Sequence, residues 1–186
     1  MGPRRALVVA ALALAGCGSK AEDAPTAVCD EACRDGIAVR ALREELKLVY
    51  NLTLQGKPVG PQDATTPCPL GGSARVTGTA TSNAMQGATD VDLVLELDHC
   101  AYRRTDDKPE STYDVTITGA VTERGILAVQ PSATTALVFE SDAITIEGTV
   151  GDPPAPYLAD ACPLKLGQSG GSVAGKLCGR DAGFAF

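Results

Sequence analysis

The chain has 186 residues, a formal net charge of −7, seven cysteines, one histidine and no tryptophan. This length fits a single domain. An acidic chain without a basic patch argues against a nucleic-acid partner, because phosphate binding requires clustered lysine and arginine.

The first sixteen residues have the pattern of a secretory signal peptide. Arg4 and Arg5 precede an unbroken apolar run at residues 6–15. That run has only about half of the roughly 20 residues that a helix needs to cross a bilayer. Because a basic head and a short apolar run lead to small residues before a cut site, we predict that residues 1–16 are removed.

The tetrapeptide Leu14-Ala15-Gly16-Cys17 resembles the lipobox of bacterial lipoproteins. The resemblance implies that cleavage precedes Cys17, that its thiol receives a diacylglycerol and that the new amine is acylated. Two or more acyl chains anchor a protein stably, whereas one binds only marginally. Gly18 stands where an aspartate would retain such proteins in the inner membrane, which favours the outer membrane. The alternatives are a secreted protein with an incidental cysteine and an uncleaved anchor.

A tether and a helix are predicted next. Residues 17–26 are polar after the lipidated cysteine, so they are typical of a flexible tether. Over residues 27–52, apolar side chains recur every three or four positions, which predicts an amphipathic helix. Asp35 falls where an apolar residue is due, and Asp35-Gly36 is a candidate kink or split. Mixed charges on the polar face favour packing on the domain's own sheet over a membrane or partner surface.

A disulfide-stapled β domain is predicted over residues 68–186, after a linker-like segment at 56–67. Apolar and polar residues alternate with a period of two, most clearly at 91–97 and 114–121. Shorter candidates lie at 74–81, 126–130, 134–140, 143–150, 163–167 and 172–178. The fold class is therefore mainly β, an antiparallel meander of about eight strands. We expect a curved sheet or barrel with one N-terminal amphipathic helix packed on it.

Four predicted strands carry a glycine in the apolar register: Gly78, Gly119, Gly148 and Gly175. Glycine weakens a strand unless a bend, a bulge or a close neighbour uses the space. We therefore expect a sheet that curls or that lets the helix lie close, with an approaching ligand as the functional alternative.

With Cys17 assigned to lipid, six cysteines remain: Cys29, Cys33, Cys68, Cys100, Cys162 and Cys178. An even number in an oxidising compartment predicts three disulfides. The favoured pairing joins Cys162 to Cys178 across a hairpin, then Cys68 to Cys100, which leaves Cys29 with Cys33. In the rival arrangement, two separate bonds staple the helix to the sheet. A zinc site is disfavoured because there is no C-x₂-C pair and His99 is the single histidine.

Candidate catalytic and binding groups are few. Asp98-His99-Cys100 places three reactive residue types together, but neighbours on a strand point to opposite faces and a disulfide cysteine is no nucleophile. A row of carboxylates lacks a calcium-loop pattern, so we interpret it as a solvated face: Asp90, Asp92, Glu96 and Asp98. The Asn51 sequon is interpreted as a chance match, and the carboxy-terminal tail as cover for a sheet edge. We expect no catalytic residues, metal or cofactor.

These observations predict a membrane-anchored cell-envelope lipoprotein with a non-enzymatic binding or structural module. It would contact the membrane through the lipid on Cys17, with an envelope protein as a candidate partner. The alternative is a small carrier of hydrophobic ligands, because an eight-stranded barrel can hold one small ligand.

Overall fold

The computed structural model describes residues 29–57, 59–83, 87–128 and 135–186. Within these ranges, one helix precedes eight strands. The helix is α1 (Glu31–Leu54), and a short 3₁₀ turn (Pro109–Ser111) precedes the fourth strand. The strands are β1 (Gly60–Pro67), β2 (Ser73–Asn83), β3 (Ala88–Arg104), β4 (Tyr113–Ala128), β5 (Ala136–Val150), β6 (Ala155–Ser169), β7 (Ser172–Leu177) and β8 (Arg180–Ala185).

The eight strands form one antiparallel sheet in which each strand pairs with its neighbours in chain order. β1 and β8 are the two edges of this sheet, which is open. The predicted meander with a single N-terminal helix is therefore confirmed as a curved sheet. A closed barrel is not formed by the described strands.

Helix α1 is continuous from Glu31 to Leu54, so a split at Asp35-Gly36 is wrong. Asp30 caps its first turn by accepting a hydrogen bond from the Cys33 amide at 2.9 Å, which satisfies an otherwise unpaired donor. A Cβ on Gly36 would lie 2.9 Å from the carbonyl oxygen of Gly183. The absence of a side chain at Gly36 therefore lets the helix approach β8 closely.

Both edge strands come from segments that sequence patterns did not assign to strands. The predicted linker contains β1, although Pro61 and Pro67 lie within it. An edge strand tolerates proline because one side of its backbone has no pairing partner. The carboxy-terminal tail forms β8, which pairs with β7 from Ser172↔Ala185 to Leu177↔Arg180.

Strands β2 to β6 are longer than predicted, whereas β7 ends one residue earlier than predicted. β4 and β5 each combine two segments that the sequence separates by a presumed turn. Their pairing shifts register between Gly119 and Thr122, and β5 shifts against β6 between Ser141 and Ile144. Such bulges insert an extra residue and bend a strand without ending it. The count of eight was correct, while several boundaries were wrong.

The glycines in the apolar register make room for adjacent strands. A Cβ on Gly78 would lie 2.2 Å from the Asp92 carbonyl oxygen, and one on Gly175 would lie 2.1 Å from that of Lys165. Gly119 and Gly148 have the same kind of neighbour. The close neighbour at these positions is therefore another strand, rather than the helix or a ligand.

The hydrophobic core lies between α1 and the sheet. Leu42, Leu46 and Val49 on the helix are buried against residues such as Leu95 and Ile117. The helix contacts both β1 and β8 as well as the central strands. The sheet therefore curls around the helix, which closes the space between its edges. No helix in the described ranges is both long and apolar enough to cross a membrane.

Candidate functional site

The predicted lipidation site lies outside the described residues, because Cys17 belongs to the undescribed segment at 1–28. The other six cysteines form three disulfides: Cys29–Cys33, Cys68–Cys100 and Cys162–Cys178. This is the favoured pairing. The rival arrangement, in which two bonds staple the helix to the sheet, is not the one observed.

The residues at Asp98-His99-Cys100 do not converge on a catalytic site. The His99 ring and the Asp98 carboxylate are exposed and meet 2.7 Å apart, with Nδ1 facing Oδ1. Cys100 points into the core, where it is bonded to Cys68. Asp90, Asp92 and Glu96 are exposed along the outer face of β3, as the solvated-face interpretation predicts.

Asp35 is a buried carboxylate that links the helix to the sheet. It accepts hydrogen bonds from the Tyr157 hydroxyl at 2.7 Å and from the Arg180 guanidinium at 2.7 and 2.9 Å. Burial raises the pKa of Asp35, but these hydrogen bonds and the Arg180 charge outweigh it, so the pKa lies below its usual value. Because both carboxylate oxygens accept hydrogen bonds from the protein itself, Asp35 has a structural role.

Glu45 is a buried carboxyl group beside a disulfide. It is 0% exposed, and its Oε1 lies 2.8 Å from the Sγ of Cys100. Its Oε2 has no hydrogen-bond partner in the described part of the chain. A disulfide sulfur carries no hydrogen to donate. Burial raises the pKa of Glu45 to about 7. Glu45, Cys68 and Cys100 cluster closely enough for a metal ion, but both sulfur atoms are already used in the disulfide.

A cavity of about 290 Å³ lies between the second half of α1, the turn that follows it and strands β1 to β4. We call it the helix cavity. Its apolar surface comes from Leu54, Val59, Ala80, Leu127 and Ala128. Its polar and charged side chains are Arg43, Lys47, Tyr50, Asn51, Gln55, Lys57, Gln62, Thr89 and Glu123.

Arg43 is a buried cation at this cavity, with an exposed fraction of 6%. Its Nε donates to Oε1 of Gln168 at 2.6 Å, and its guanidinium lies 5.4 Å from the centre of the Phe139 ring. Burial lowers the pKa of Arg43, while Glu123 and Glu44 raise it. Arginine stays charged in proteins, yet within the described ranges this one forms no ion pair. Among the described residues, we find no acceptor for its other guanidinium N–H groups.

Glu123 is the carboxyl group at the inner end of the cavity. It is 2% exposed, and no described residue forms a hydrogen bond with its Oε2. Burial raises its pKa to about 7, and the nearby Arg43 charge acts in the opposite direction. Burial and Glu123 together raise the pKa of Tyr50, which lines the same cavity. The cavity therefore holds a buried cation and a buried carboxyl group, and these two groups do not form a hydrogen bond or an ion pair with each other.

Sequence reasoning missed these residues, although the signal was present. On β4, the period of two that buries Val121 also buries Glu123. On α1, Arg43 lies four residues after Val39 and Glu45 three after Leu42, so both fall on the buried stripe. The signal was that charged residues occupy positions that a periodic pattern assigns to the core.

A second cavity, of about 330 Å³, lies on the other flank of the helix. It shares Arg43, Lys47 and Asn51 with the helix cavity and is also bordered by Phe186. Glu123 and the apolar wall of Leu54 and Leu127 belong to the helix cavity alone. The helix cavity is therefore the better candidate for a ligand with an apolar part.

No protein-family model, curated protein or solved structure matches this chain. The functional argument therefore rests on the amino-terminal motif and on the helix cavity. The motif bears on where the protein acts, and the cavity on what its folded domain can bind.

Proposed function

We propose that the chain is a membrane-anchored cell-envelope lipoprotein whose folded domain binds a small, partly apolar molecule without transforming it. The observation that carries this proposal is the helix cavity, where, among the described residues, Oε2 of the buried Glu123 has no hydrogen-bond partner and the buried Arg43 forms no ion pair. Buried polar groups are almost always paired, because an unpaired one costs free energy. A ligand that reaches both groups would provide the missing partners.

The place of binding differs from the one expected for a carrier with a barrel lumen. The sheet is open, and α1 occupies its inner face. A ligand would therefore lie between the helix and strands β1 to β4. Its apolar part would contact the wall formed by Leu54, Leu127 and Ala80.

The lipobox supports the membrane location. Lipid on Cys17 would hold the domain at the envelope, and the polar residues at 17–26 would tether it at up to about 30 Å from the surface. Such a module would act as a carrier, buffer or receptor for its ligand at a membrane. An envelope protein that collects the ligand is a partner compatible with this role.

The anchor is tested by expressing the full chain and its Cys17→Ala variant in a bacterium that acylates lipoproteins. We expect the unmodified chain in the membrane fraction, with an intact mass that lacks residues 1–16 and includes the acyl groups. The variant should lose the acyl mass. An unmodified chain that keeps residues 1–16, or that carries a free thiol at Cys17, would contradict the lipoprotein proposal.

Ligand binding is tested by native mass spectrometry of the chain purified from envelopes. We expect one small molecule per chain, and its loss in Ala128→Leu, which fills part of the cavity. Ala136→Leu, at an exposed position of β5, is the matched control and should retain the ligand. If neither the unmodified chain nor the control carries a small molecule, and an envelope protein co-purifies with both, the binding proposal is wrong.

A further inference from the structure

We propose that the helix cavity selects an aliphatic monocarboxylate, with its carboxylate at Arg43 and its chain against Leu54, Leu127 and Ala80. This inference rests on the proposed function, because it names the ligand class of the same cavity. It goes further by specifying the charge of the head group and the residue that binds it.

The charge of the lining favours an anion. Arg43, Lys47 and Lys57 are cations, and Glu123 is the acid among the described lining residues. Lys47 and Lys57 are exposed, whereas Arg43 lies at the buried end. An entering anion would therefore meet positive charge along its path. An ammonium ligand could pair with Glu123 but would be repelled by the three cations.

Arg43 has the geometry for a carboxylate. Its Nε is held by Gln168 and its guanidinium plane is supported by Phe139, so the group is oriented before a ligand arrives. The planar guanidinium can donate two parallel hydrogen bonds to one carboxylate. Because Arg43 forms no ion pair with the described residues, a bound carboxylate would supply one.

Glu123 makes binding of the ligand carboxylate depend on pH. When protonated, its carboxyl group can donate a hydrogen bond to a ligand carboxylate, and when ionised it repels that carboxylate. The charged and titratable groups around it are Arg43, Lys47 and Tyr50 from α1 and Lys57 from the following turn. Arg124, the next residue on β4, is exposed and pairs with Asp92 at 2.9 Å, so it belongs to the outer face.

The apolar wall of the cavity is the reason that we propose an aliphatic chain on the ligand. Ala80 is buried, and Leu54 is 6% exposed, at the end of the helix. Burial of each methylene group contributes about 0.8 kcal/mol. A head group alone, such as acetate, would leave this wall unused, so we expect chain length to increase affinity.

The test is calorimetric titration of the full chain carrying Cys17→Ala, which removes the acylation site. The probes are octanoate, octan-1-ol and octylammonium, which share a chain and differ in head-group charge. At pH 6, we expect octanoate to bind at least about tenfold more tightly than either of the others, because charge-assisted hydrogen bonds form at Arg43.

Two results separate failure of this inference from failure of the proposed function. If octan-1-ol or octylammonium binds as tightly as octanoate, the carboxylate inference is overturned while a binding cavity remains. If none of the three probes binds, and no small molecule co-purifies from envelopes, the proposed function is overturned as well.

Variants then assign the head group. Arg43→Met should weaken octanoate binding by at least about tenfold and leave octan-1-ol unchanged. Arg124→Met removes the same charge from the outer face of β4 and is the matched control. Unchanged octanoate binding in Arg43→Met, or an equal loss in Arg124→Met, would overturn the assignment.

Glu123→Gln provides a second test that keeps the cation in place. Between pH 6 and pH 8, octanoate affinity of the unsubstituted cavity should fall by up to about tenfold as Glu123 loses its proton. The glutamine variant should show no such fall, since it cannot ionise. A fall of the same size in both proteins, or in neither, would contradict the role of Glu123.

Discussion

The carboxylate of Asp35 on α1 accepts two hydrogen bonds from the guanidinium of Arg180 on β8, at 2.7 Å from Nε and 2.9 Å from Nη2. These residues are 145 positions apart in the sequence. The contact joins the first element of the domain to the last, and the Tyr157 hydroxyl adds a third bond from β6. The helix is therefore fixed against a sheet edge by a polar contact as well as by apolar packing.

Asp35→Asn should destabilise the domain by about 2 kcal/mol at pH 7, because it removes the charge-assisted hydrogen bonds from Arg180, which keeps only its 3.5 Å contact with Glu31. The pKa of Asp35 is lowered in the folded state, so its stabilisation is present above the unfolded value of 3.8 and is lost as pH falls below it. Urea unfolding at pH 7 and pH 3 measures both effects. Asp181→Asn, at an exposed β8 position, is the control. Equal stability of Asp35→Asn and Asp181→Asn would contradict the prediction.

Glu45→Gln should stabilise the domain at high pH. The pKa of Glu45 in the folded protein, about 7, lies above its ordinary value of 4.5, so the stability contributed by the protonated group is fully present below pH 4.5 and is lost as pH rises through 7. At pH 8, the variant should gain up to about 3 kcal/mol, and at pH 4 almost nothing. Denaturation across this range, with exposed Glu96→Gln as the control, measures the gain. A gain that does not change with pH would disprove the explanation.

Gly175→Ala should cost about 3 kcal/mol or more, because a methyl group would meet the Lys165 carbonyl oxygen and the backbone has a φ of +156°. Gly171→Ala is the matched control, since nothing lies within 4 Å of its added Cβ. Thermal unfolding should show a large decrease in Tm for the first variant and little change for the second. Similar melting of the two variants would contradict the close strand contact.

Removing a disulfide should lower the free energy of unfolding by an amount that increases with the length of the loop that the bond closes. Replacing Cys162 and Cys178 with serine should cost about 3 kcal/mol, because their bond closes a loop with a separation of 16. The same change at Cys29 and Cys33, with a separation of 4, should cost about 2 kcal/mol or less. Chemical denaturation of the two double variants gives the comparison. The opposite order would show that native contacts, rather than chain entropy, dominate these bonds.

Local patterns were enough to predict the class of the domain. Alternation along β3 placed Leu93 and Leu95 in the core, and the short separation of Cys162 and Cys178 predicted their pairing. The same patterns failed where a strand contains a bulge, because a bulge shifts the alternation and resembles a turn. They also failed at β1, whose prolines are tolerated only because the strand lies at an edge.

The sequence by itself determined a helix followed by an antiparallel meander, since helix and strand periodicities are properties of neighbouring residues. It also contained the lipobox resemblance, which is read from contiguous residues. Only the tertiary structure decided what Arg43 and Glu123 face, because they come from different elements and meet through the packing of α1 on β4. Their periodic positions predict burial, but which partners each side chain finds depends on the strands that surround it.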